Sequence, residues 1–284
     1  MPAFDQVTIL GPGLLGASLA MAVRENHSVE KIIIWARRKE SLMLCEGQHW
    51  CDHAENDLTK ALQGSDLVVL CTPVESILSM VPEIIQLTNK NVIITDVGSV
   101  KGSICRVAEK HTKDDGGRFI GSHPMAGSEK SGMEHASVEL FRGRTCILTP
   151  FTNSEKDQVD ELSKFWRQIG MKVCLESYDK HDEIVSYVSH LPHILASSLG
   201  SLLSTQPDDW KRRSGKGLSD TTRIAEGDPE LWCQIMKMNQ GAINESLKLW
   251  IESIQGFQNN MEAGNWDMVR DYLEKGTNFR KGLE

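Results

Sequence analysis

At 284 residues the chain exceeds one typical domain and is long enough to bury a substantial core, so two domains are expected. Its 40% hydrophobic and 25% charged residues fall in the ordinary range of soluble globular proteins and disfavour disordered, fibrous and membrane classes. A formal charge of −8 opposes a nucleic-acid or anionic-lipid surface, which needs a dense basic face, and leaves a small-molecule ligand as the expectation.

A short apolar strand is predicted at Val7 to Leu10, then a glycine turn and a helix from Leu14 to about Glu25. A second strand follows at Ile32 to Trp35. Apolar runs at Leu67 to Cys71, Val92 to Thr95, Phe119 to Ile120, Cys146 to Leu148 and Val173 to Leu175 alternate with amphipathic segments such as Val74 to Leu87 and Gln158 to Ile169. That alternation predicts an α/β fold with a doubly wound, Rossmann-like, mostly parallel sheet covered on both faces. From Tyr178 onward only helical periodicity is found, so an all-helical C-terminal domain is expected. The boundary is set near Glu176, giving residues 1–176 and 177–284.

The seven cysteines are scattered and odd in number, which predicts a reducing compartment, the cytoplasm by default. Residues 1–24 lack the pattern of a signal peptide, and no run approaches the ~20 apolar residues of a membrane span.

Gly11-Pro12-Gly13-Leu14-Leu15-Gly16 fits the G-x-G-x-x-G pattern directly after a predicted strand and at the start of a predicted helix. Gly11 permits a tight turn, Gly13 lets the backbone approach a pyrophosphate, and Gly16 allows close helix–strand packing. The helix N-terminus then meets the phosphate charge. Thr72 and Pro73, just past the strand at Leu67 to Cys71, are counted with Leu14, Leu15 and the glycines as cofactor-binding residues. About 20 residues after the glycines, where an NAD site places an acid on the ribose, this chain has Ala36. Arg37, Arg38 and Lys39 follow, and guanidinium groups suit a 2′-phosphate, so NADP is expected to be preferred with NAD as the alternative.

Three further stretches carry the chemistry. They are Thr95-Asp96-Val97-Gly98-Ser99-Val100-Lys101, then Gly121 to Gly132 with His123-Pro124 and Ser128-Glu129, and Ser189-His190-Leu191-Pro192-His193, joined by Asp220-Thr221-Thr222-Arg223. Asp96 and Ser99 fall past the carboxyl end of a strand, where open parallel sheets hold ligands, and His123 is expected just past another strand end. A histidine there can take a proton near neutral pH. Together these motifs, in this order from the first strand to at least Trp232, resemble the prephenate/arogenate dehydrogenase family.

The resemblance implies oxidative decarboxylation: hydride leaves C4 of the substrate ring for the nicotinamide, the C4 hydroxyl loses its proton, and the ring carboxylate departs as CO2. The products are 4-hydroxyphenylpyruvate from prephenate or tyrosine from arogenate. His123 is then the base, with Ser99 hydrogen-bonded to it or to the substrate hydroxyl. Ser128 and Glu129 line the pocket. Arg223 anchors the side-chain carboxylate, a role suited to a permanent cation with a rigid fork of donors, and Asp220 orients it. Trp232 matches a position near the pocket but is read as core. His193, at i+3 from His190 with Pro192 in the first helical turn, favours prephenate, whereas Asp220 offers a partner for the ammonium of arogenate. Lys216 stands where the family pattern has glycine, a cation that either aids binding of the substrate carboxylates or points to solvent. A homodimer through the helical domain is implied, with Leu231 to Phe257 carrying apolar positions for it. No regulatory domain is expected after residue 284 and no mutase-like domain before the first strand.

Rival readings stay open. Cys45, His49, Cys51 and His53 supply zinc-type ligands, but their spacing fits no standard finger or ribbon, so a surface loop without metal is favoured. A β-hydroxyacid dehydrogenase or imine reductase joins similar domains but would carry a catalytic lysine or another acid. An NADP-sensing regulator would need no His, Ser and Arg set.

Overall fold

Strand β1 (Phe4–Leu10) is buried along its apolar run and pairs in parallel with a neighbour on each edge, as a strand covered on both faces must. This is seen in a computed structural model that describes residues 3–112, 116–127, 130 and 132–283. After β1 come α1 (Leu14–Glu25), β2 (Val29–Trp35), α2 (Lys39–Cys45), β3 (His53–Glu55), α3 (Leu58–Ala61), β4 (Leu67–Leu70), α4 (Val74–Leu87), β5 (Ile93–Asp96), α5 (Gly102–His111) and β6 (Arg118–Phe119). The six strands form one parallel sheet in the order β3-β2-β1-β4-β5-β6. The order reverses between β1 and β4, and ligands of such sheets bind in the crevice outside the carboxyl ends at that point.

Side chains alternate across the sheet. Val7, Ile9, Leu67 and Val69 face the core cluster that contains α1, while Leu10, Val68 and Leu70 face the one built on α4 and α5.

The doubly wound parallel sheet expected from the alternation is present, but the later strands do not join it. After Ile120 the chain leaves it and forms β7 (Gly121–Pro124), β8 (Thr145–Thr149), α6 (Lys156–Gln168) and β9 (Lys172–Leu175). These three strands make a second sheet in which β7 runs antiparallel to β8 and β8 parallel to β9. β7, Gly-Ser-His-Pro, carries no apolar run, and a run of four or five residues does not reveal its partner, so the sequence held no signal for the switch. His123 therefore lies within a strand, not in a loop behind one.

From α7 (Tyr178–Val185) to residue 283 the described chain is helical. A wide π-type turn at Ser186–His190 leads into α8 (Leu191–Ser204), with Pro192 in the first turn, where its missing N–H is tolerated. Short helices α9 (Asp209–Arg212) and α10 (Lys216–Thr222) and a 3-10 turn at Arg223–Glu226 precede α11 (Pro229–Met238), α12 (Gln240–Glu262) and α13 (Trp266–Lys281). Ile235, Trp232 and Met238 of α11 pack on the cluster behind α4 and α5, which sets the helical part against the nucleotide-type sheet. The last two helices expose Leu249, Ile251, Trp266, Met268, Leu273 and Phe279, the last 70% accessible. Among the described residues no helix is long and apolar enough to cross a membrane.

Candidate active site

The glycine loop joins β1 to α1 beside the point where the strand order reverses. Gly11 has φ of +102°, a backbone state costly for other residues, and a Cβ there would lie 2.8 Å from the Thr72 methyl. A Cβ on Gly16 would lie 2.0 Å from the Gly11 carbonyl oxygen, so the helix reaches the strand only because Gly16 has none. Gly13 differs: nothing lies within 4 Å of a Cβ built on it. The fold itself does not require that glycine, whereas a ligand lying on the backbone does. Among the described residues the Thr72 hydroxyl is buried without a partner in the same corner, and the first turn of α1 offers unpaired N–H groups. A dinucleotide pyrophosphate fits this cradle. Leu14 and Leu15 open α1, Pro73 precedes α4, and Arg37 and Arg38 are exposed just past β2, while Ala36 is buried.

At the carboxyl end of β5, Asp96 is fully buried and forms an ion pair with the equally buried Lys101. Its carboxylate also accepts from Gly98 N at 2.8 Å and Ser122 N at 3.2 Å, which locks the turn after β5 to the strand that carries His123. Removing one partner of such a buried pair strands a charge and costs about 3–5 kcal/mol.

His123 is 7% exposed and its Nδ1 lies 2.8 Å from Nε2 of the buried His181. His181 Nδ1 in turn lies 2.8 Å from Asp182 Oδ1. Asp182 accepts from the N–H groups of Lys101 at 2.7 Å and Gly102 at 2.9 Å, so a residue of α7 caps the start of α5. Burial holds the His123 imidazole well below its ordinary range, helped by its neighbours His181, Lys101 and His190. Burial also lowers His181, against the raising pull of Asp182. For Asp182 burial acts upward, but hydrogen bonds from His181 and the two backbone N–H groups outweigh it and keep it below the usual carboxylate range. The set is two neutral imidazoles ending on a carboxylate.

The helical part supplies the opposite wall. His190 and His193 are both buried, on one face at i and i+3. Asn239 Nδ2 donates to the Asp182 carbonyl at 2.8 Å and sits 3.2 Å from His190 Nδ1. Burial takes His190 down to about 4. His193 stacks on Trp232 with ring centroids 3.6 Å apart at 12°, and Gly227 lets the chain close over both rings, since a Cβ there would lie 2.5 Å from Trp232 Nε1. Burial lowers His193 while the adjoining Ile224 backbone pulls it up. Arg223, next to Ile224, is exposed.

Several residue expectations change. The hydrogen-bond partner of His123 is His181, whereas Ser99, half-buried after β5, makes no bond to it. Asp220 is exposed on α10 and makes no ion pair with the exposed Arg223 three residues on. Trp232, read as core, does pack on the core cluster and is also the half-buried stacking partner of His193. Ser128 and Glu129 lie outside the described residues. His181, Asp182 and Asn239 were missed, since an isolated histidine, acid or amide on a helix carries no local signal. In the Cys45 to His53 segment burial pushes Cys45 up to about 12 and Cys51 to about 11, while His49 and His53 are exposed. Among the described residues no three His, Cys, Asp or Glu groups are arranged to hold a metal ion.

Two family models cover the chain. One described as prephenate dehydrogenase, nucleotide-binding domain, matches residues 19–175, and one described as prephenate dehydrogenase, dimerization domain, matches residues 177–275. The prephenate dehydrogenase of Bacillus subtilis (strain 168) is 30% identical over 283 residues, 98% of this chain and 76% of that protein. The structure of the A. aeolicus prephenate dehydrogenase in complex with hydroxyphenyl propionate and NAD+ is similar with a TM-score of 0.90 at 27% identity, over 99% of this chain and 98% of that one. The Synechocystis arogenate dehydrogenase gives 0.86 at 27% identity, over 98% and 100%.

Proposed function

Because the chain belongs to the prephenate dehydrogenase family, we propose that it oxidatively decarboxylates prephenate, or arogenate, in tyrosine biosynthesis. The observation that carries this reading is a buried, neutral histidine, His123, held by one nitrogen in the wall that faces the helical part. Gly11, Gly13, Leu14, Leu15, Gly16, Thr72 and Pro73 would hold the dinucleotide, which supplies the acceptor for the hydride of the substrate carbinol carbon.

Loss of that hydride leaves a positive oxygen unless a base removes the hydroxyl proton. His123 Nε2 takes it, and the ring carboxylate leaves as CO2 as the ring becomes aromatic. Ser99 contacts the hydroxyl. Arg223 grips the side-chain carboxylate at the rim, and its exposure without a partner among the described residues suits a group that waits for a ligand. His193, held flat by Trp232, adds a contact that favours prephenate. Ser128, Glu129 and Asp220 complete the substrate set, Asp220 being the residue that would favour arogenate.

NADP is the proposed preference, from Arg37 and Arg38 beside Ala36 in place of an acid. Residues 1–176 form the nucleotide-binding domain and 177–284 the substrate-binding and dimerisation domain. The exposed apolar side chains of α12 and α13 and the match to a dimerization domain support a homodimer. Seven unpaired cysteines fit a reducing compartment, and we place the enzyme in the cytoplasm.

The test is cofactor reduction by the purified protein with prephenate and with arogenate, each with NAD and NADP. The highest kcat/KM is expected for prephenate with NADP. No turnover with either substrate and either cofactor would overturn the assignment.

A further inference from the structure

We propose that Asp182 and His181 are positioning residues: through one buried chain of hydrogen bonds they fix the tautomer of His123, with Nδ1 protonated and Nε2 free. The direction of the chain follows from donors that cannot reverse. The N–H groups of Lys101 and Gly102 only donate, so both oxygens of Asp182 act as acceptors, at 2.7 and 2.9 Å. His181 Nδ1, 2.8 Å from the same Oδ1, must therefore donate to it. A neutral imidazole has one N–H, which leaves His181 Nε2 as an acceptor. His123 Nδ1, 2.8 Å away, must then be the donor, and its lone pair resides on Nε2.

Burial supports each step. His181 is fully buried and Asp182 nearly so, and among the described residues no other hydrogen-bonding side chain competes for the ring nitrogens of His181. Imidazole in water favours the opposite tautomer, with the proton on Nε2, so a free His123 would mostly present a donor to the site. The helical part thus decides the proton location on a residue of the sheet part. Proton transfer from a substrate hydroxyl to Nε2 then creates an imidazolium whose Nδ1–H is already aligned on His181, with the Asp182 carboxylate at the end of the line. That Nε2 acts as the base rests on the function proposed above, whereas the tautomer does not.

Nitrogen NMR of protein labelled at the histidine rings reads the tautomer directly. The parent is expected to show His123 protonated at Nδ1 and bare at Nε2. In Asp182→Asn the amide NH2 can face His181 Nδ1, which reverses the chain and moves the His123 proton to Nε2. Asp182 also caps α5, so should that variant fail to fold, His181→Leu removes the acceptor without touching the cap. His181→Leu is expected to shift His123 towards the Nε2–H form and to lower kcat by roughly 10²–10⁴-fold with little change in KM, the span of a lost general base. His181→Gln, whose carbonyl oxygen can still accept from Nδ1, is expected to restore most of that loss. A parent His123 protonated at Nε2, or a His181→Leu protein with unchanged tautomer and kcat, would overturn the proposal. A parent with the expected tautomer that turns over neither substrate would sink the dehydrogenase reading and leave the positioning role standing.

Discussion

His123, His181 and His190 are imidazoles kept neutral by burial where the sheet part meets the helical part, and their neutrality has a consequence for stability. In the unfolded chain each titrates near 6.5, while in the folded protein His190 titrates at about 4 and the other two are also lowered. Between those values the unfolded chain binds more protons than the folded one. Stability is therefore fully present above pH ~6.5 and is lost as the pH falls through the window towards about 4. Urea midpoints measured across that range are expected to fall with pH, and to fall less steeply in His190→Gln, which deletes one of the lowered groups. An unaltered slope in that variant would contradict the burial argument. At this scale the sequence pointed to His123, His193 and Arg223 because each sits in a compact motif. It was silent on His181 and Asp182, whose roles depend on α7 meeting α5, a contact between residues some eighty positions apart.

Among the elements, the β1–α1 turn separates two uses of glycine. Gly16→Ala would push a methyl into the Gly11 carbonyl, 2.0 Å away, and must move α1 off the sheet. A loss of roughly 1–3 kcal/mol or more is expected from overpacking of this kind, with a lowered Tm. Gly13→Ala meets nothing within 4 Å, so its Tm should stay near the parent's while cofactor affinity falls. Thermal melts with and without NADP distinguish them, and equal destabilisation of the two apoproteins would count against the cradle. The strand–turn–helix unit was legible in the sequence because apolar run, glycines and amphipathic helix stand in order. The second sheet was not, since β7 is the run Gly-Ser-His-Pro, which has no apolar strand pattern, and the short runs of β8 and β9 do not say which strand they pair with. Nor was the π-type turn at Ser186–His190, which widens the helix just before Pro192 and aims His190 and Asn239 at each other.

For the molecule as a whole, one sheet-borne wall and one helical wall meet at the carboxyl ends of the strands. Asp182 at the start of α5 and α11 against the core behind α4 fix how they meet. The change from alternating strands to helices near residue 176 was readable from periodicity. The closure of the two parts was not, because no local pattern encodes which helix face covers which strand end. The account assigns proton removal to His123 on the first wall and grip on the substrate to Arg223 on the second. Steady-state kinetics of His123→Ala and Arg223→Leu with prephenate test that division most directly. The first is expected to lose kcat by roughly 10²–10⁴-fold with KM near the parent's, and the second to show its loss chiefly as a raised KM. A His123→Ala enzyme that turns over as fast as the parent would contradict it.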